Sequence, residues 1–164
     1  MSNKWRLLGA ILICQSAGII GSFFTASAIP GWYASLEKPV FTPPNWLFAP
    51  VWLILYTVIG ISLYRIWLKR RRLVHKTEDG AIISALYLFY IHLVINAYWS
   101  IVFFGMKDLL SAVLIIFILT AMVLVLIAQF FRIDRIAGIL LIPYYLWLVY
   151  ASCLTLSIWQ LNRI

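Results

Sequence analysis

Four residues within Ala81–Phe104 have types and spacing that could act together: His92, Asn96, Trp99 and Phe103, at i, i+4, i+7 and i+11. At helical periodicity this puts an imidazole, an amide and two aromatic rings on one face. The chemistry open to them is narrow. No carboxylate or cysteine stands at a spacing that would complete a metal site with His92, and no Ser–His–acid or Cys–His arrangement supports hydrolysis. What is left is hydrogen bonding and aromatic contact, directed either at neighbouring helices or at a ligand in a cavity. Two more segments carry the same equipment. Trp52, Tyr56 and Gly60 recur at steps of four. In "PYYLWLVYASCLTLSIWQLN", Tyr144, Trp147 and Ala151 fall at i, i+3 and i+7, with Tyr150 beside them.

Composition dictates the elements that must position these residues. The 164 residues are 65% hydrophobic, 16% aromatic and only 11% charged, with a mean hydropathy of +1.00. An average soluble domain carries roughly 25% charged residues, so lipid is the solvent here and the fold class is an all-α membrane protein. Five charge-free stretches are long enough to cross ~30 Å of hydrocarbon: Leu7–Ala28, Trp46–Tyr64 (reaching Trp67 if Arg65 snorkels), Ala81–Phe104, Leu109–Phe131 and Ile136–Ile158. In lipid, backbone groups must bond within their own segment, so each stretch is predicted to be a helix. The expected architecture is one domain over 1–164, a bundle of five transmembrane helices at about 7–28, 46–67, 81–104, 109–131 and 136–158. The connections 106–108 and 132–135 are so short that helices three, four and five must be antiparallel neighbours. The first apolar run exceeds the 7–15 residues of a signal-peptide core, so it reads as a retained span.

Charge orients the bundle. With the N-terminus inside, ten Lys and Arg lie inside and three, Lys38, Lys107 and Arg163, lie outside. The net charge of +8 gathers in "KRRRLVHK" and at helix ends, where it sets orientation and meets anionic headgroups, so nucleic acid is not an expected partner. No Asp, Glu, Lys or Arg lies mid-span, which argues against a pump or channel. Cys14 and Cys153 read as small packing residues. Ala10, Cys14, Gly18, Ser22 and Ala26 form a ridge of small side chains on helix one. It serves either packing within the chain or a homodimer seam.

The first loop, 29–45, belongs to "WYASLEKPVFTPPNWLFAPVW", whose Pro39, Pro43, Pro44 and Pro50 stiffen the connection. Trp32, Tyr33, Phe41, Trp46 and Phe48 would pack downward as a lid on a cavity where Trp52, Trp99 and Trp147 converge. An interfacial aromatic loop is the other reading, and Trp5, Trp46, Trp67 and Trp159 fit a belt at the span ends.

Together "WYASLEKPVFTPPNWLFAPVWLILYTVIG", "NAYWSIVFFG" and "PYYLWLVYASCLTLSIWQLN" resemble the TspO/MBR family, which includes bacterial tryptophan-rich sensory proteins and the mitochondrial translocator protein. The match runs from about Gly31 to Asn162 in the same order. It implies a five-helix bundle, commonly a homodimer, in the bacterial cell membrane, with a pocket near the first loop. It implies tetrapyrrole ligands such as protoporphyrin IX, drug-like benzodiazepine-receptor ligands, and no required cofactor or metal. The pocket positions it implies are Trp52, Asn96, Trp99, Trp147 and Ala151, with Trp32 and Pro44 in the loop. Helical spacing adds Tyr56, His92, Phe103 and Tyr144. As an alternative, the resemblance implies light-dependent porphyrin breakdown in which Trp52 and Trp147 react. Animal members continue the last helix with Leu-Asn-Tyr and an Arg. A lipid- or sterol-binding or translocating protein is the second alternative the resemblance implies, but Thr155 and Leu156 stand here in place of the Asn and Tyr, which weakens sterol recognition through that motif.

Overall fold

Uninterrupted runs of Leu, Ile, Val and Ala have no partner for their backbone groups in lipid except themselves, and they become long helices. The computed structural model describes residues 3–72 and 76–163. It contains α1 (Asn3–Ala28), α2 (Phe48–Arg72), α3 (Lys76–Ser100), α4 (Leu109–Ile133) and α5 (Arg135–Asn162). All five are long and apolar enough to span a bilayer. Large apolar side chains such as Leu12, Phe23, Ile54, Ile91 and Leu114 face outward. The chain is therefore an integral membrane protein of five helices, and its packing places them in ring order α1–α2–α5–α4–α3.

The two short connections are tight turns. Lys107 takes the left-handed conformation (φ 59°) and its amide closes onto Val102 O, after which Asp108 caps α4 through Ser111 N at 3.0 Å and Ser111 Oγ at 2.6 Å. Those Ser111 hydrogen bonds hold the Asp108 carboxyl below its ordinary pKa. Between α4 and α5 a single residue, Asp134, ends one helix and caps the next by accepting from Ala137 N at 3.0 Å.

The first connection differs from the expected lid at 29–45. Its beginning is helical: a π-type turn, Ile29–Tyr33, continues α1, and the irregular stretch is only 36–44 before the 3₁₀ turn Asn45–Leu47. Pro30 stands inside this unbroken helical stretch, where its missing N–H interrupts the i→i−4 ladder at the place where the chain passes from α to π-type pairing. A second π-type turn, Ile101–Met106, extends α3.

The half of the bundle away from the first connection is densely packed. A Cβ on Gly60 of α2 would lie 2.7 Å from Ile11 Cα, so α1 and α2 touch backbone to backbone. Ala10 and Cys14 are fully buried at this seam. The small ridge is thus used within the chain over its first half. Arg65 does not reach out as a free cation. Its guanidinium forks onto Asp134 at 3.0 and 2.9 Å, fastening α2 to the α4–α5 turn, with Lys69 Nζ at 4.0 Å. Burial alone would raise the Asp134 pKa, but the Arg65 and Ala137 hydrogen bonds and the two nearby cations outweigh it and lower it.

Candidate functional site

Packing loosens toward the lid end, where α1, α2, α5 and the π-type turn after α3 surround a cavity of about 350 Å³. That is near the lower end of the ~300–1,000 Å³ typical of small-molecule sites. Aromatic side chains from three helices form its wall. Trp52 and Trp147 meet edge to face at 6.5 Å, Trp52 stacks on Tyr56 at 5.3 Å, and Trp99 stacks on Phe103 at 5.2 Å. The Trp99 indole N–H donates to Ala112 O at 3.1 Å, which ties that ring to α4. All three indoles line one chamber, as does Ala151. Ser22 and Ala26 of α1 and Ala49 and Leu53 of α2 are exposed yet belong to the wall, so the cavity opens on the flank between these helices. The outer half of the small ridge keeps that flank open.

Five of the residues selected from sequence are elsewhere. Asn96 lies just behind the wall, almost fully buried. Its Oδ1 accepts from Tyr56 and its Nδ2 donates to Tyr144 at 3.0 Å, so its polar atoms already join α2, α3 and α5. Tyr144 is likewise fully buried behind Trp52, at 6.3 Å. His92 is a turn farther from the lid, packed against Phe89 (4.7 Å) and Tyr144 (5.8 Å), with Nδ1 bonded to Phe89 O and Nε2 without a partner among the described residues. A helical face fixes direction but not depth, and these side chains fall below the chamber. Trp32 touches Phe103 at 5.6 Å but lines a separate crevice with Phe24 and Lys107. Pro44 is exposed and starts the 3₁₀ turn.

The lid rests on the wall unevenly. Tyr33 is buried against Phe48, Phe103 and Phe104, and Phe48 meets Trp147 at 6.4 Å. Phe41 packs on Tyr150, whose hydroxyl donates to Phe41 O at 2.8 Å. Trp46 departs from the lid expectation: it is 71% exposed and turned outward, as a belt residue would be. Lys38 folds back, donating to Ala34 O and Leu36 O, with its ammonium over the Tyr33 ring at 5.1 Å.

Sequence reasoning missed Asn162, which fastens the lid. Its Oδ1 accepts from Glu37 N at 3.0 Å and its Nδ2 donates to Glu37 O at 2.9 Å. An amide at the end of the last span, beside a loop with unpaired backbone groups, was the available signal. Gln15 joins α1 to α2 by donating to Leu53 O and Thr57 Oγ1, both at 3.0 Å, and lines the cavity.

The model of the TspO/MBR family matches residues 10–160. The sequence is 39% identical to the tryptophan-rich protein TspO of Archaeoglobus fulgidus, over 98% of this chain and 99% of that one. It is 31% identical to the tryptophan-rich sensory protein of Cereibacter sphaeroides, over 99% and 95%. It is 30% identical to the translocator protein of Bos taurus, over 100% and 95%. A match spanning nearly every residue, including the lid and all three tryptophan-bearing helices, leaves one conclusion: the chain belongs to the TspO/MBR family.

Proposed function

We propose that this protein is a membrane receptor or carrier for flat aromatic ligands of the tetrapyrrole type, with protoporphyrin IX the representative compound. The observation that supports this best is the convergence of Trp52, Trp99 and Trp147 from three helices on one chamber beneath an anchored lid. Indole faces stack on extended π systems, and apolar walls with few polar groups favour such ligands. The open flank between α1 and α2 accommodates what the chamber cannot enclose. Among the described residues no Lys, Arg, His, Asp or Glu lines the wall, so propionates of a bound porphyrin project toward the rim. The Lys and Arg distribution supports a cell-membrane orientation with the N-terminus inside and the lid outside.

Titrating purified protein with protoporphyrin IX while following tryptophan fluorescence tests the reading. Saturable quenching is expected, and substituting Trp52 or Trp147 should weaken binding far more than substituting Trp5, which is 63% exposed at the far end of α1. Unchanged fluorescence up to the solubility limit overturns it.

A second reading, light-dependent porphyrin breakdown, draws on the Trp52–Trp147 pair, since a ring in the chamber would touch both indoles. Illuminated mixtures should then lose porphyrin faster with the native protein than with Trp147→Phe. Equal loss dismisses catalysis.

A further inference from the structure

Most polar side chains of the chamber are already committed. Ser22 Oγ donates to Ile19 O at 2.7 Å, Thr25 Oγ1 to Gly21 O at 3.0 Å and Thr155 Oγ1 to Ala151 O at 2.8 Å. The Tyr56 and Tyr150 hydroxyls are bonded to Asn96 and Phe41. Among the described residues that line the chamber, Tyr33 alone carries a fully buried polar side-chain atom without a partner. It lines the chamber, is 2% exposed, and its buried hydroxyl has no partner among the described residues. Buried hydroxyls are nearly always hydrogen-bonded, and leaving one unmade costs about 1–3 kcal/mol. Nor is the ring free to turn away: Phe48, Phe103 and Phe104 hold it at 6.4, 6.2 and 5.7 Å, and the Lys38 ammonium lies over it.

We infer that Tyr33 is a specificity-determining residue of this site, its hydroxyl donating to an uncharged carbonyl oxygen on a flat aromatic ligand. The inference rests on the binding function proposed above. It selects a neutral acceptor because no cation lines the wall among the described residues, and the Lys38 ammonium already donates to two lid carbonyls. A carboxylate would be desolvated against one hydroxyl donor, an arrangement that does not compensate a buried charge.

Three porphyrins with a common macrocycle test this by fluorescence titration: etioporphyrin, with alkyl groups only; mesoporphyrin dimethyl ester, with neutral carbonyls; and mesoporphyrin, with carboxylates. The native protein should bind the ester about tenfold more tightly than etioporphyrin, the worth of one buried hydrogen bond. Tyr33→Phe should abolish that gap, leaving the ester and etioporphyrin equally bound, and a thermal melt with a midpoint near the native one certifies that the variant folds. Equal affinities in the native protein, or a gap that survives in Tyr33→Phe, overturns the inference and leaves the binding function standing. Mesoporphyrin binding more tightly than its ester in a Tyr33-dependent way overturns the neutral acceptor. If the native protein binds none of the three, the proposed function fails and the inference with it.

Discussion

Asn162, on the last turn of α5, grips both backbone polar groups of Glu37, 125 residues earlier in the chain. With the Tyr150–Phe41 bond it fastens a proline-stiffened lid to the helix that carries Trp147. Asn162→Ala removes one fastening without touching the chamber wall. Dissociation of bound protoporphyrin IX should accelerate roughly tenfold, the worth of the lost hydrogen bonds, while the thermal midpoint changes little. Stopped-flow dilution of the preformed complex measures the first and a thermal melt the second.

Asn96 has a different kind of importance. Its amide is shared by Tyr56 and Tyr144 and is almost fully buried, so Asn96→Leu strands two tyrosine hydroxyls. A loss of about 2–4 kcal/mol is expected, with a weakening of binding that follows from misplacing Tyr56. Tyr56→Phe, which leaves only the amide oxygen of Asn96 unpaired, should cost less. Denaturant unfolding in detergent ranks the two variants, and the reverse order would show that Asn96 acts elsewhere.

Gly60 tests the α1–α2 seam. A methyl group there would collide with the Ile11 backbone at 2.7 Å, whereas one on Gly31 meets nothing within 4 Å. Gly60→Ala should therefore destabilise by about 1–3 kcal/mol through overpacking, and Gly31→Ala should leave the melting temperature nearly unchanged.

The Asp134 carboxyl makes stability depend on pH at the acid end. Its pKa is lowered in the folded protein, so the stabilisation it supplies is present above the ordinary carboxylate value of ~4 and is lost as pH falls through the lower folded value. Melting temperatures taken from neutral pH downward should decline in that range, and Asp134→Asn should start lower and decline less. Removing one partner of a fork that is partly exposed on the Arg65 side should cost about 1–3 kcal/mol at neutral pH.

The spans and the identity of the aromatic helices were legible because hydropathy and period report on composition and direction. Trp52, Trp99 and Trp147 could be brought together this way, since each lies on an inward face near the lid. His92 and Asn96 share the Trp99 direction but fall about two turns and one turn deeper, where Tyr144 and Phe89 fill the interior. Spacing alone does not say where a chamber ends. Trp32 was lost for a related reason: the π-type turn that continues α1 turns its ring toward the crevice beside Phe24. The pairings of Asn162 with Glu37 and Arg65 with Asp134 join residues 125 and 69 positions apart. No local pattern encodes such distances.

The Asp134 turn also bears on which length changes the chain tolerates. One added residue there would separate the roles Asp134 combines, ending α4, capping α5 and receiving the Arg65 fork, and so would disturb the α2–α4–α5 packing that carries Trp147. Insertions and deletions between residues 36 and 44 should therefore spare the helix packing while loosening the Glu37–Asn162 and Phe41–Tyr150 fastenings, whereas at position 134 they disturb the packing itself.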